Sequence, residues 1–330
     1  MAAGGQRRHG LITGLSGQDG SFLAELLLSK GYRVSGLVRR GGDLGAAAHL
    51  RAQIDAIEGD LCDAESLAAA VKTAAPDELY HLAAPSFVPE SWSQPAATIL
   101  AIAGATAALL ESVRDHSPGS RVFLANTGQM FGEAGVSPQR EDTPCRPLNP
   151  YASAKLAAHQ LVGQLRAHDD LFACSGILYN HESERRPEQF VSRKITRGVA
   201  AIKVGLQREL VLGDLNAVRD WSFAGDIMYG AWLMLQQEVP DDYILASGTS
   251  HTVGEMAEIA FDHVGLRASD HVCVDPDLVR PPEPTPQIGD PARARERLGW
   301  TPTLSFEALV HRMVDHDLAA LHRDPSPTSQ

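Results

Sequence analysis

Eight residues near the start, Thr13-Gly14-Leu15-Ser16-Gly17-Gln18-Asp19-Gly20, constrain this chain more than any other stretch. They separate an apolar run at 10–13 from an amphipathic run at 21–30, which stops at Gly31, a residue suited to end a helix. Glycines placed after a strand and before a helix permit a sharp turn. They also let the backbone approach a pyrophosphate seated on the positive end of the helix. The spacing therefore predicts an opening βα unit of a dinucleotide-binding sheet, with Gly14, Gly17, Gln18, Asp19 and Gly20 against the cofactor.

The alternation continues. Segments 33–38, 78–83, 121–126 and 174–179 read as strands, and 66–74, 96–113 and 150–168 as helices. This order predicts an α/β fold, a doubly wound parallel sheet of Rossmann type. From His181 the pattern loosens into a smaller C-terminal substrate-binding lobe, with a helix at 194–203, a short strand at 209–212 and a proline-rich stretch at 280–286. Segments 221–236 and 243–246 are expected to return to the first domain. The boundaries that follow are 7–180 with a return at about 221–247 for the dinucleotide domain, 181–220 and 248–322 for the lobe, and flexible ends at 1–6 and 323–330.

A chain of 330 residues with 44% hydrophobic content is large enough to bury a real core. Its net charge of −12 argues against a general nucleic-acid surface, while leaving room for a local basic pocket that holds phosphates. Cys62, Cys145, Cys174 and Cys273 form no C-x-x-C pair and no metal-ligand spacing, so they are expected to be reduced and structural, and no metal is expected. The first eight residues carry no apolar core of a signal, and no uninterrupted apolar run is long enough to cross a bilayer. No membrane association and a cytoplasmic location are the expectation.

Two further features carry chemistry. Tyr151 and Lys155 lie four apart in a helical segment and so share a face, where the lysine can lower the tyrosine pKa and also reach a nicotinamide ribose. Thr127, at the end of a predicted strand, can hydrogen-bond the same oxygen that a tyrosinate would deprotonate. Arg39 and Arg40 follow the second strand, where an acidic residue would hold the ribose hydroxyls of NAD. Guanidinium groups there suit a 2′-phosphate, so NADP is the expected cofactor, with NAD possible.

Thr127 to Gly132, together with Tyr-x-x-x-Lys, resembles the catalytic set of the extended short-chain dehydrogenase/reductases. Longer stretches narrow this. Residues 10–40, 149–155, 176–183, 190–194, 212–216, 219–221 and 231–236 resemble the GDP-mannose 4,6-dehydratases along nearly the whole chain. That resemblance implies a GDP-sugar substrate, adenine contacts at Asp60 and Leu61, and further cofactor contacts at Leu82, Ala83, Ala84, Leu178, His181 and Arg186. It implies substrate contacts at Ser86, Glu90, Thr127, Asn180, Lys194, Leu212, Gly213, Arg219 and Arg280. It also implies a homodimer formed through the helices at 96–113 and 151–168. A tetramer would use the loop after the arginine pair, which here is rich in Gly and Ala.

The chain departs from the family at position 129. In members that eliminate water from the sugar this residue is Glu, whereas Gln129 offers an amide with no basic carboxylate. Gly128 stands where the family has Ser, Phe131 where it has Tyr, and Pro85-Ser86-Phe87-Val88 where it has Q-S-H-V. Glu184 and Pro187 alter the E-S-P-R-R-G loop. These residues predict catalysis by Thr127, Gln129, Tyr151 and Lys155, with oxidation at sugar carbon 4 and then 4-epimerisation or other redox chemistry without elimination. The alternatives are a true 4,6-dehydratase in which Glu90, Glu133 or a water acts as base, and a non-catalytic GDP-sugar or NADP binding protein.

Overall fold

The computed structural model describes residues 7–279 and 284–323. Its strands run β1 His9–Thr13, β2 Arg33–Val38, β3 Ile54–Glu58, β4 Glu78–His81, β5 Arg121–Thr127, β6 Ala173–Leu178, β7 Asn180–Glu182, β8 Leu210–Leu212, β9 Val218–Arg219, β10 Trp221–Phe223, β11 Tyr243–Leu245, β12 His251–Thr252 and β13 Val272–Val274. The helices are α1 Gln18–Ser29, α2 Ala64–Ala74, α3 Glu90–Ser93, α4 Pro95–Ile99, α5 Ala105–His116, α6 Pro150–Asp169, α7 Val191–Lys203, α8 Ala224–Met234, α9 Val253–His263 and α10 Phe306–Arg323.

Seven strands form one sheet in the order β11-β6-β5-β4-β1-β2-β3, with every neighbouring pair parallel. The chain moves outward from β1 through β2 and β3, then crosses back to β4 and builds the other half. The direction of winding therefore reverses between β1 and β4, and the crevice beyond their carboxyl ends is where such sheets bind ligands. Helices cover both faces. Leu23, Ala24 and Leu27 of α1 pack with Met228, Ala231 and Met234 of α8 on one side. Leu67 and Val71 of α2, Leu109 and Val113 of α5, and Ala154, Ala158 and Val162 of α6 pack on the other.

Several local expectations are corrected. The strand β3 was not expected, because as an edge strand it is largely exposed and its sequence, IDAIE, has no continuous apolar run. Helices α9 and α10 organise the lobe, where the sequence pattern had looked loose. Ala294, Leu298 and Trp300 belong to the first core rather than to the lobe, and the Trp300 indole donates to Asp226 O at 2.8 Å. The helix expected at 96–113 is α4 and α5 joined through a π-helical turn at Leu100–Gly104. The stretch Pro95–His116 is long and apolar enough to cross a membrane by length and composition, and half of its most apolar window is buried. Packing against α2 and α6 accounts for the buried half of that apolar content. Cys174 is buried, but Cys62 and Cys273 are exposed.

In the lobe, Ile195, Val199, Met256, Phe261, Val310 and Val314 form a third core. One buried ion pair crosses it, from Arg193 of α7 to Asp317 of α10, and Thr196 Oγ1 donates to the same carboxylate at 2.8 Å. Removing one partner strands a buried charge. The substitution Asp317→Ala is therefore expected to lower unfolding free energy by about 3–5 kcal/mol, read as a reduced urea midpoint.

Candidate active site

The glycine loop adopts the expected turn. Gly14 has φ of 78°, and a Cβ there would lie 2.8 Å from Ala83 N. A Cβ on Gly20 would lie 2.2 Å from Gly14 O, so the first turn of α1 can pack against the loop only without a side chain. Gly17 caps α1 with its backbone alone. Leu82, Ala83 and Ala84 form the facing wall, tied to β1 by Leu82 N to Thr13 O at 3.3 Å and Ala83 N to Thr13 Oγ1 at 3.2 Å.

Gln18 and Asp19 act differently from simple loop residues. The Gln18 amide is engaged within the protein, donating to Asp19 Oδ1 and to His181 O and accepting from Ser183 Oγ at 2.7 Å. Asp19 Oδ2 lies 2.9 Å from His181 Nε2. Burial opposes the His181 cation, but the Asp19 carboxylate outweighs it and raises the imidazole pKa. The loop and β7 are thereby locked together. Asp60 turns its carboxylate to Cys62 N at 2.8 Å, and Leu61 packs partly into the second core. Arg39 is exposed, and Arg40, also exposed, lies 3.7 Å from Glu58.

The strand β5 ends at Thr127, whose hydroxyl accepts from Gln129 N at 3.2 Å as the chain enters a 3-10 turn at Gly128–Phe131. Facing it is the first turn of α6. Pro150 starts the helix, and Asn149 caps it by accepting from Ala152 N at 2.8 Å. Tyr151 sits in this turn with its phenol close to the Thr127 side chain. Burial pushes the phenol pKa up to about 12, partly offset by the nearby Thr127 hydroxyl and by the Arg186 cation. Lys155, one turn on, donates to Ala125 O at 2.7 Å and lies 6.0 Å from the centre of the Tyr151 ring. Burial lowers its pKa to about 8, against the pull of Asp19.

The Gln129 side chain is half-buried, and its Oε1 faces Asn149 Nδ2 at 3.5 Å, beside the cap of α6. Glu90 and Glu133 are both exposed. Among the described residues, no side-chain hydrogen bond joins either carboxylate to Thr127, Gln129 or Tyr151; Glu90 meets Gln94 at 3.5 Å.

Asn126 was missed from sequence. Its amide donates to Lys155 O and accepts from Thr127 N at 2.8 Å, so it joins β5 to α6 at Thr127 and Lys155. A lone Asn at a strand end gives no signal until the partner helix is placed. Asn149 was also missed, although an Asn before Pro at a helix start is a capping pattern.

Among the substrate candidates, Ser86 and Lys194 are exposed, while Asn180 of β7 and Arg219 of β9 are partly buried. Leu212 ends β8, and a Cβ on the next residue, Gly213, would lie 2.6 Å from Leu278 O. Leu178 ends β6 beside the site, and Arg186 lies over the Phe190 ring and 3.2 Å from Glu182. Arg280 lies outside the described residues.

A family profile described as GDP-mannose 4,6 dehydratase matches residues 11–313. The chain belongs to this family. It is 45% identical over 332 residues to GDP-mannose 4,6 dehydratase 1 of Arabidopsis thaliana, covering 96% of this chain and 92% of the relative. It is 37% identical to the human GDP-mannose 4,6 dehydratase over 352 residues, covering 98% and 95%. In fold it is similar to a UDP-glucose 4-epimerase from Thermotoga maritima, with a TM-score of 0.85 at 22% identity, covering 95% of this chain and 99% of the other. Membership makes the chain a nucleotide-sugar enzyme of the extended short-chain dehydrogenase/reductase type.

Proposed function

We propose that this chain oxidises a GDP-hexose of the GDP-mannose type at carbon 4, using NADP. Family membership over almost the full length favours 4,6-dehydration as the outcome, a reordering of the expectation drawn from Gln129 alone. The observation that carries the redox half is Tyr151 placed beside Thr127, with Lys155 on the same helix face and the glycine loop opposite.

The loop fits a dinucleotide because Gly14 and Gly20 leave no room for a Cβ beside the backbone that would meet its pyrophosphate. When bound, the nicotinamide supplies the hydride acceptor for carbon 4. Tyr151 takes the hydroxyl proton at that carbon, Thr127 holds the oxygen in line, and Lys155 keeps positive charge near the phenolate. Asn180, Lys194 and Arg219, with Arg280, are assigned to the diphosphate, where cations from separate elements converge without making the protein basic. Arg39 and Arg40 are assigned to a 2′-phosphate.

Ketone formation at carbon 4 acidifies the proton on carbon 5. Elimination then needs a base for that proton and a proton for the leaving hydroxyl, and the Gln129 amide supplies neither readily. This favours a second reading, in which hydride returns to carbon 4 and the sugar is epimerised. Incubation with GDP-mannose and NADP separates the two. Dehydration gives a product lighter by one water, whereas epimerisation gives an unchanged mass with altered configuration. Tight GDP-sugar binding without turnover would contradict both.

The cofactor assignment has its own test. Replacing Arg39 and Arg40 together by Ser is expected to weaken NADP binding about 10- to 100-fold, the loss of about 1.5–3 kcal/mol from charged hydrogen bonds, with NAD affinity little changed. Equal weakening of both cofactors would contradict it. A homodimer through α5 and α6, in the cytoplasm, completes the proposal. The exposed Ile99 and Leu100 near the start of the α5 stretch suit such an interface, and sedimentation in solution reads the state.

A further inference from the structure

The turn that carries Gln129 rests on a tyrosine ring. A Cβ on Gly128 would lie 2.8 Å from Cζ of Tyr179 and 3.0 Å from Cε1 and Cε2, so a glycine is needed for the turn to sit this close. From a different segment, a Cβ on Gly289 would lie 2.7 Å from Cε2 of the same ring, and as close to Ala246 and Ile244. Met130 and Phe131 of the turn pack with Tyr179, Ile177, Ile244 and Ala246 in a small separate core, which also explains why an apolar Phe131 is accommodated.

The ring is fixed at its far end. Its hydroxyl donates to Gln139 Oε1 at 2.8 Å, and Gln139 is fully buried. The same amide accepts from Ile288 N at 3.1 Å and donates to Val136 O at 2.7 Å and Pro286 O at 2.9 Å. Gly289 N in turn donates to Asp220 at 3.3 Å, next to Arg219 in the chain. Burial, with Asp220 and Glu141 nearby, raises the Tyr179 pKa far above that of a free phenol, so its hydroxyl remains a donor.

We propose that Tyr179, held by Gln139, is a positioning residue that sets the Thr127–Gln129 turn against Tyr151. The inference rests on the reading of that turn as the reacting one. A side chain at position 128 must displace either the ring or the turn. The substitution Gly128→Ser is expected to lower kcat about 10-fold or more, because small misplacement of reacting groups is costly, while KM for the GDP-sugar changes less than about 3-fold. Adding Tyr179→Leu to Gly128→Ser should restore much of the lost kcat. The same addition should not rescue Gly289→Ala, where Ala246 and Ile244 still obstruct.

Wild-type kcat in Gly128→Ser, or failure of Tyr179→Leu to restore it, overturns the proposal. If Gly128→Ser does not fold, Tyr179→Phe tests the tie to Gln139, and the proposal requires a fall in kcat with KM unchanged; no fall overturns it. If the wild type does not turn over GDP-mannose, the functional reading fails by itself. Crystal structures then still decide the positioning claim: the Thr127 hydroxyl should be displaced from Tyr151 in Gly128→Ser and return in the double variant, and an unchanged separation in Gly128→Ser overturns it.

Discussion

Replacing Gln129 by Glu is expected to raise the rate of water loss from GDP-mannose by roughly 10²- to 10⁴-fold, the usual contribution of a positioned general base. The geometry favours a simple gain. Gln129 is half-buried, so a carboxylate there keeps part of its hydration, and Asn149 Nδ2, now 3.5 Å from the amide oxygen, can donate to it. The helix cap is retained because Asn149 uses its other side-chain atom for Ala152 N. Oxidation at carbon 4 should change little, since Thr127, Tyr151 and Lys155 are untouched. Product mass followed over time checks the prediction. As a control, Gln129→Met should leave elimination near the wild-type rate.

The second large effect is expected at Tyr151. The substitution Tyr151→Phe removes the group proposed to take the proton from the carbon 4 hydroxyl, and should reduce single-turnover hydride transfer by roughly 10²- to 10⁴-fold. Binding of the GDP-sugar should persist, because the residues proposed to hold the diphosphate, Asn180, Lys194 and Arg219, lie on other elements. The pH dependence follows from the two shifted groups. Burial holds the phenol near 12, so below that value the phenolate fraction, and with it kcat/KM for oxidation, rises with pH. Lys155 loses its proton as pH rises through about 8, which removes positive charge beside the phenolate. The rise should therefore flatten above about 8 rather than continue to 12. In Lys155→Met the bend should vanish. A bend that persists in that variant would assign it to another group.

The parts of the site legible in the sequence were those whose chemistry depends on local spacing. The glycine loop, the Tyr151–Lys155 pair and the strand ending at Thr127 each combine a motif with a periodic segment, and the fold places all three at one crevice. The edge strand β3 was hidden because exposure on both sides leaves little apolar pattern. Trp300 gave no sign of its return to the first core, since such contacts are set by the path of the chain through the lobe. The roles of Gln18 and Asn126 were equally invisible. Each satisfies partners far away in sequence, at His181 and Ser183 for the first and at Lys155 for the second.

In the proposed function oxidation proceeds, and removal of the carbon 5 proton is limited by the amide at position 129. The most direct measurement is the rate of water loss from GDP-mannose deuterated at carbon 5, for the wild type beside Gln129→Glu. A primary isotope effect is expected for the wild type, shrinking in the faster variant. Equal rates in the two proteins, with no isotope effect in either, would contradict it.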